Sequence, residues 1–113
     1  MDKVNRYRQL IQDLLQAYAK QFSQANTDQL ETHTVFDTTH DRYMVYRTGW
    51  WDTRRIHSAT LYVRLHEGKI WIEEDGTEEG LATDLLAAGV PHDDIVLGFR
   101  HPELRPLTDF AAA

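Results

Sequence analysis

Apolar positions in the first quarter of the chain recur at helical spacing. Val4, Tyr7, Ile11, Leu14, Leu15, Tyr18 and Phe22 fall on one side, with Gln, Lys, Arg and Asp on the other. The pattern predicts an amphipathic helix from Lys3 to Gln24, with Asp2 as its N-cap. About three heptads are marginal for a coiled coil, so the helix is expected to dock on a sheet. Ala25 to Gln29 is polar, with Asn26 and Asp28 as turn formers, and ends it.

The period then changes from helical to alternating. Strands are predicted over Leu30–Asp37, Arg42–Trp50, Arg55–His66 and Lys69–Glu74. The turns between them fall at Thr38–Asp41, Asp52-Thr53 and Glu67-Gly68, where glycine supplies a positive φ. If the two later loops have two residues each, Leu65 pairs with Ile70, Val63 with Ile72, and Arg64 lies opposite Trp71 as a cross-strand cation–π pair. The same counting puts Met44, Tyr46 and Thr48 on one face with His57, Ala59 and Leu61. That face is continuously apolar and is the expected seat of the first helix. The opposite face would carry Phe36, Tyr43, Val45, Ile56, Tyr62 and Trp71 among Arg47, Arg64, Thr60 and Ser58. It is too aromatic to meet water alone, so later chain or a second subunit should cover part of it.

Beyond the Asp75-Gly76 turn, Thr77 with Glu78 and Glu79 is expected to open a shorter helix, with Leu81, Leu85 and Leu86 inward and Gly89 as its stop. A short turn or helix at Val90–Asp94 leads into the buried run Ile95-Val96-Leu97. The tail HPELRPLTDFAAA reads as irregular, packed through Leu104, Leu107 and Phe110. The fold class is therefore α+β: a long N-terminal helix packed on a four-stranded antiparallel meander sheet, then a second shorter helix and an irregular C-terminal tail. No linker, repeat or low-complexity segment interrupts residues 1–113, so a single domain is expected.

Composition narrows the chemistry. The chain has 113 residues, 42% hydrophobic and 27% charged, as ordinary globular proteins do. With no cysteine, disulfides, zinc–thiolate sites and cysteine nucleophiles are excluded. The polar start MDKVNRYRQ has no signal-peptide core and no apolar run reaches membrane-spanning length, so the cytoplasm is the expected compartment and no membrane partner is expected. Net charge is −6, against bulk nucleic-acid binding. Residues 42–69 nevertheless carry Arg42, Arg47, Arg54, Arg55, Arg64 and Lys69 against Asp52 and Glu67, a balance of +4 that leaves −10 elsewhere. A solvated sheet surface accounts for this, and a docking surface for something acidic is the alternative.

Candidate chemistry is thin. Asp52, Glu67 and Lys69 resemble the acid-then-ExK pattern of metal-dependent nucleases, but adjacent hairpin turns lie at opposite ends of a meander. The acidic run Glu73–Glu79 lacks EF-hand spacing and suits a helix N-terminus. The six histidines show no zinc-type spacing, so no metal and no cofactor are expected. His57, predicted on the inner face, is a weak ligand candidate whose default reading is a hydrogen-bonded core histidine; a Ser58/His57/Asp52 triad fails because neighbouring strand residues point to opposite faces. No catalytic residue is assigned.

Several ordered blocks span nearly the whole chain: Met1-Asp2-Lys3 with Tyr7-Arg8, Val35-Phe36-Asp37, Gly49-Trp50, Arg55-Ile56-His57, Gly68–Ile72, Asp75–Glu78, Gly89-Val90-Pro91, Asp94–Phe99 and Thr108–Ala111. In these blocks the chain resembles the XisI family, the fdxN element excision controlling factor proteins of cyanobacteria. Ser58 departs from the glycine expected after the Arg-Ile-His block, which bears on a close backbone approach there. The resemblance implies a small α+β accessory protein in programmed DNA excision, where a separate recombinase does the strand chemistry and a nuclease-like XisH protein is the usual partner. It supplies no catalytic residues.

Three functional expectations follow. The first is a non-catalytic regulator that contacts an XisH-like partner, with DNA present only indirectly, through Trp50, Arg55, Tyr62, Arg64 and Trp71, a set rich in interface-type residues. Plain sheet packing is the competing account of these five. The second is a DNA-binding regulator using the basic Arg42–Lys69 region. The third is a small enzyme or ligand binder centred on His57, which needs Asp37 or Glu73 to share a pocket with it. Homodimerisation is a further expectation, because the outer sheet face needs cover.

Overall fold

A computed structural model describes residues 2–27 and 29–113; of the predicted turn formers, Asp28 lies outside them. Helix α1 spans Lys3–Phe22 and a single 3-10 turn, Ser23–Ala25, follows it. Asp2 caps it, accepting from the Val4 amide at 3.0 Å. Its buried stripe is Tyr7, Ile11, Leu15 and Ala19, four residues apart, as the apolar periodicity requires.

The sheet consists of β1 (Leu30–Asp37), β2 (Arg42–Trp51), β3 (Arg54–His66), β4 (Lys69–Asp75) and β5 (Ile95–Leu97), in the order β1-β2-β3-β4-β5. The first four form the expected antiparallel meander, whereas β5 is parallel to β4. The four-stranded expectation is corrected to a five-stranded mixed sheet. The run Ile95-Val96-Leu97 is apolar because it is this strand. Helix α2 (Leu81–Ala87) supplies the crossover that a parallel connection needs.

One register irregularity overturns half of the predicted faces. The β2–β3 hairpin closes with Trp51 opposite Arg54, and the simple count holds as far as Tyr46 opposite Ala59. Then Val45 pairs with Leu61, so Thr60 is an extra residue, a β-bulge. A shift of one residue exchanges faces. Tyr43 and Val45, expected outside, are fully buried under α1 with Leu61, Val63, Leu65, Ile70 and Ile72. Met44, Tyr46 and Thr48 lie on the outer face, and so does His57, which is exposed. Phe36 likewise belongs to the inner side, its ring 5.6 Å from that of Tyr43. Arg47 shares the inner side with Val45 by alternation, and its Nε and Nη2 atoms are buried without a hydrogen-bond partner among the described residues. A second bulge, at Glu73, follows from Val63 pairing with Ile72 while Tyr62 pairs with Glu74.

Charged and phenolic pairs tie both ends of α1 to the turns and helix around it. Arg8 donates to both Asp41 oxygens at 2.8 and 3.1 Å, and the Tyr43 hydroxyl donates to the same carboxylate at 2.7 Å. Arg8 therefore holds the Asp41 carboxyl below its ordinary range. Tyr7 donates to Asp94 at 2.5 Å, and Tyr18 near the other end donates to Asp84 of α2.

The start of α2 differs from the expected Thr77 cap. Thr77 precedes the helix, and Asp75 serves it instead: one carboxylate oxygen accepts from the Thr77 amide and hydroxyl, the other from the Leu81 amide at 2.7 Å. Gly89 ends α2 at φ +94, as expected. In the tail, Phe110 packs against the core, but Leu104 and Leu107 are exposed. No helix among the described residues is long and apolar enough to cross a membrane.

Candidate interaction surface

The outer sheet face divides into two regions with different neighbours. At the β4–β5 side, Trp71 is already engaged. The Arg64 guanidinium lies 4.3 Å from its ring centroid, as the cross-strand pairing predicts, and the Arg105 guanidinium lies 5.2 Å away. Arg64 also donates to Glu73 at 2.7 Å, and Arg105 donates to the Gly98 and Arg100 carbonyls. Ala111 forms a bridge to Val96 and its amide donates to Ile95, so the C-terminal segment covers this half and buries Val96 completely. Lys69 donates to the Ala113 carbonyl.

Over β1, β2 and β3 as far as Tyr62, the outer face is more open. Met44, Tyr46 and Tyr62 are half-buried there and Val35 is 40% exposed. Toward the hairpin end the exposure increases. Trp50 is 46% exposed, with the Arg55 guanidinium 5.3 Å from its ring, and Trp51 is 55% exposed. Trp50 pairs with Arg55 and Trp51 with Arg54, so strand alternation puts one Trp–Arg pair on each side of the hairpin. Gly49 makes this geometry attainable. Its φ is +146, and a Cβ there would fall 1.9 Å from the Gln29 carbonyl oxygen, which accepts from the Trp50 amide at 2.7 Å.

The five predicted contact residues therefore do not form one patch. Trp50 and Arg55 lie at the hairpin end, Tyr62 in the middle, and Arg64 and Trp71 at the far side under the tail. Trp51 and Arg54 complete the hairpin end and were missing from the predicted set. The signal for them was the doubled Trp-Trp and Arg-Arg across a two-residue turn, which alternation splits between faces. Arg105 was not foreseeable, because nothing in the tail's sequence ties it to Trp71.

The basic excess of residues 42–69 is also dispersed. Arg47 goes inside, Arg64 is paired with Glu73, and Lys69 bonds the tail. Arg42, Arg54 and Arg55 remain exposed, with Arg42 at the opposite end of β2 from the other two. The groups needed for a His57-centred site do not meet. His57 lies opposite Thr48, Asp37 bonds His40 at 2.8 Å, and Glu73 bonds Arg64. Asp52 and Glu67 occupy turns at the two ends of the 13-residue β3, both with positive φ. Among the described residues, no three His, Asp or Glu side chains are placed to hold a metal ion.

This is an α+β protein with an open outer sheet face and an exposed aromatic hairpin end. The XisI protein family model matches residues 1–112. A crystal structure of fdxN element excision controlling factor XisI from Anabaena variabilis is 38% identical, with a TM-score of 0.87 over 99% of this chain and 100% of that one. A XisI-like protein from the same organism is 31% identical, with a TM-score of 0.91 over 97% of this chain and 99% of that one. A search of curated proteins finds no match. The chain belongs to the XisI family.

Proposed function

We propose that this protein is a non-catalytic accessory factor in DNA rearrangement, working in the cytoplasm through contact with an XisH-like protein. The observation that carries the reading is the uncovered outer face over β1 to β3, which ends in the exposed Trp50 with Arg55 against its ring. Half-buried Tyr46, Met44 and Tyr62 adjoin it. Tryptophan, tyrosine and arginine are the residues most enriched among interface hot spots. Similarity to the Anabaena excision controlling factor supports the setting. Dispersal of the basic residues favours a protein partner over duplex DNA as the direct ligand.

The test is capture of the XisH-like protein by the tagged chain. Trp50→Ala and Tyr46→Glu are expected to lower affinity at least tenfold, consistent with loss of a buried aromatic anchor. Trp71→Ala, beneath the tail, is expected to retain capture. Undiminished capture by both outer-face variants would sink the proposal. Salt-sensitive nanomolar binding of the isolated chain to duplex DNA would favour the DNA reading instead.

A further inference from the structure

The other flank of the same hairpin has its own complement on this molecule. Between the last turns of α1 and the β4–α2 connection lies a cleft of about 590 Å³, lined by Tyr18, Phe22, Thr77, Glu78 and Glu79 among others. That volume is in the range of sites that enclose bulky ligands or side chains. Its aromatic wall is the Tyr18–Phe22 pair, with centroids 5.7 Å apart, and its rim is anionic. Asp84 accepts from the Tyr18 hydroxyl, and the Asp75 and Glu79 carboxylates lie near enough to act on that phenol electrostatically. By contrast, residues 46–59 carry Arg47, Arg54 and Arg55 against Asp52, a balance of +2.

The relative height of the two features matters. The Gly76 amide donates to the Thr60 carbonyl at 2.8 Å, so the cleft is level with the β3 bulge. From Thr60 to Arg54 the strand continues for about 20 Å at roughly 3.3 Å per residue. The hairpin end thus projects past the cleft. By alternation its α1-side flank presents Trp51, 55% exposed, opposite Arg54. An indole this exposed next to a guanidinium matches an aromatic cleft with an acidic rim. Both features lie on the α1 side of the sheet and toward the same end, so one two-fold rotation can bring each hairpin to the other copy's cleft. Such a contact is self-complementary and closed.

We propose that two copies of this chain associate by reciprocal insertion, with Trp51 of each seated against Tyr18 and Phe22 of the other and Arg54 facing Glu78 and Glu79. This contact uses the flank opposite to that of Trp50 and Tyr46, so it stands independently of the XisH-like partner.

Sedimentation velocity of the full chain tests it. A dimer is expected at low salt and weakens in high salt, where charge attraction is screened. Trp51→Ala and Arg54→Glu each raise the dimer dissociation constant at least tenfold. Glu78→Arg/Glu79→Arg does the same, and combining it with Arg54→Glu restores the dimer. Unchanged circular dichroism verifies that the variants are folded, as the exposure of Trp51 leads one to expect. A monomeric wild-type chain at low salt would overturn the proposal, and so would a dimer indifferent to Trp51→Ala and Arg54→Glu. Partner capture measured on the same variants keeps the two surfaces apart: lost self-association with intact capture is the expected pattern.

Discussion

Two glycines with positive φ separate conformational strain from steric collision. At Gly89, φ is +94 and an added Cβ would meet nothing within 4 Å. Gly89→Ala is then expected to cost about 1 kcal/mol, the penalty for an L-residue in left-handed geometry. At Gly49 the Cβ would strike the Gln29 carbonyl at 1.9 Å, and that oxygen is held by the Trp50 amide. Gly49→Ala must move backbone, so a loss of about 3 kcal/mol or more is expected. Urea unfolding of the two variants should rank them in that order. The tyrosines give a pH signature at the same scale. Burial first, and then the Asp84 and Asp41 carboxylates, push Tyr18 and Tyr43 from 10 up to about 12. Between those values the unfolded chain releases phenolic protons that the folded chain retains, so stability falls as pH rises through this window. Thermal midpoints should decline from pH 10 to 12, and Tyr18→Phe should make the decline shallower. An identical slope in the variant would refute this assignment.

The bulge at Thr60 decides which face of β2 is buried, and it is testable as an element. Deleting Thr60 restores the uninterrupted two-residue alternation. Either the first half of β3 then turns over or the pairing of Leu61 and Val63 is lost, and the Thr60–Gly76 hydrogen bond goes too. The expected cost is about 3 kcal/mol or more by equilibrium unfolding. A near-neutral deletion would mean that the register adapts. The same bulge marks the limit of what the residues disclose. Helical spacing from Val4 to Phe22, and the turn chemistry at Asp52-Thr53 and Glu67-Gly68, suffice to place α1 and the four-strand meander. The β3–β4 pairing, and with it the Arg64–Trp71 contact, also follows from counting outward from the turn. Thr60 and Glu73 are ordinary strand residues with no local mark of a bulge, so counting from the neighbouring turn carried β2 to the wrong face. Strand β5 has three residues, too short for a periodicity, and its parallel pairing depends on the α2 crossover. For the interaction surface, residue types were legible but grouping was not, because that depends on the bulge and the path of the tail.

At the scale of the molecule, the C-terminal segment replaces a second helical layer over half of the outer sheet face. It places Arg105 near Trp71, gives β5 a neighbour at Ala111, and sends Phe110 to the core margin, 5.2 Å from His92. Strand β5 is otherwise an edge of three residues, and Val96 is completely buried there. Removing residues 101–113 should therefore act in a graded way across the sheet. Val96 and Trp71 become accessible, and lost apolar burial of one to two side chains costs about 3 kcal/mol. Hydrogen exchange should quicken first at Ile95–Leu97, whereas amides of α1 and the β2–β3 hairpin keep their protection, since local opening follows local contact. Trp71 emission should shift to the red as water reaches the indole. The truncated chain should also aggregate more readily, because the newly bared strip joins the open Tyr46–Tyr62 surface into one larger apolar patch. Unaltered exchange at Ile95–Leu97 would show that β5 is held by β4 and α2 alone, and the tail would then be a passenger on the face rather than its cover.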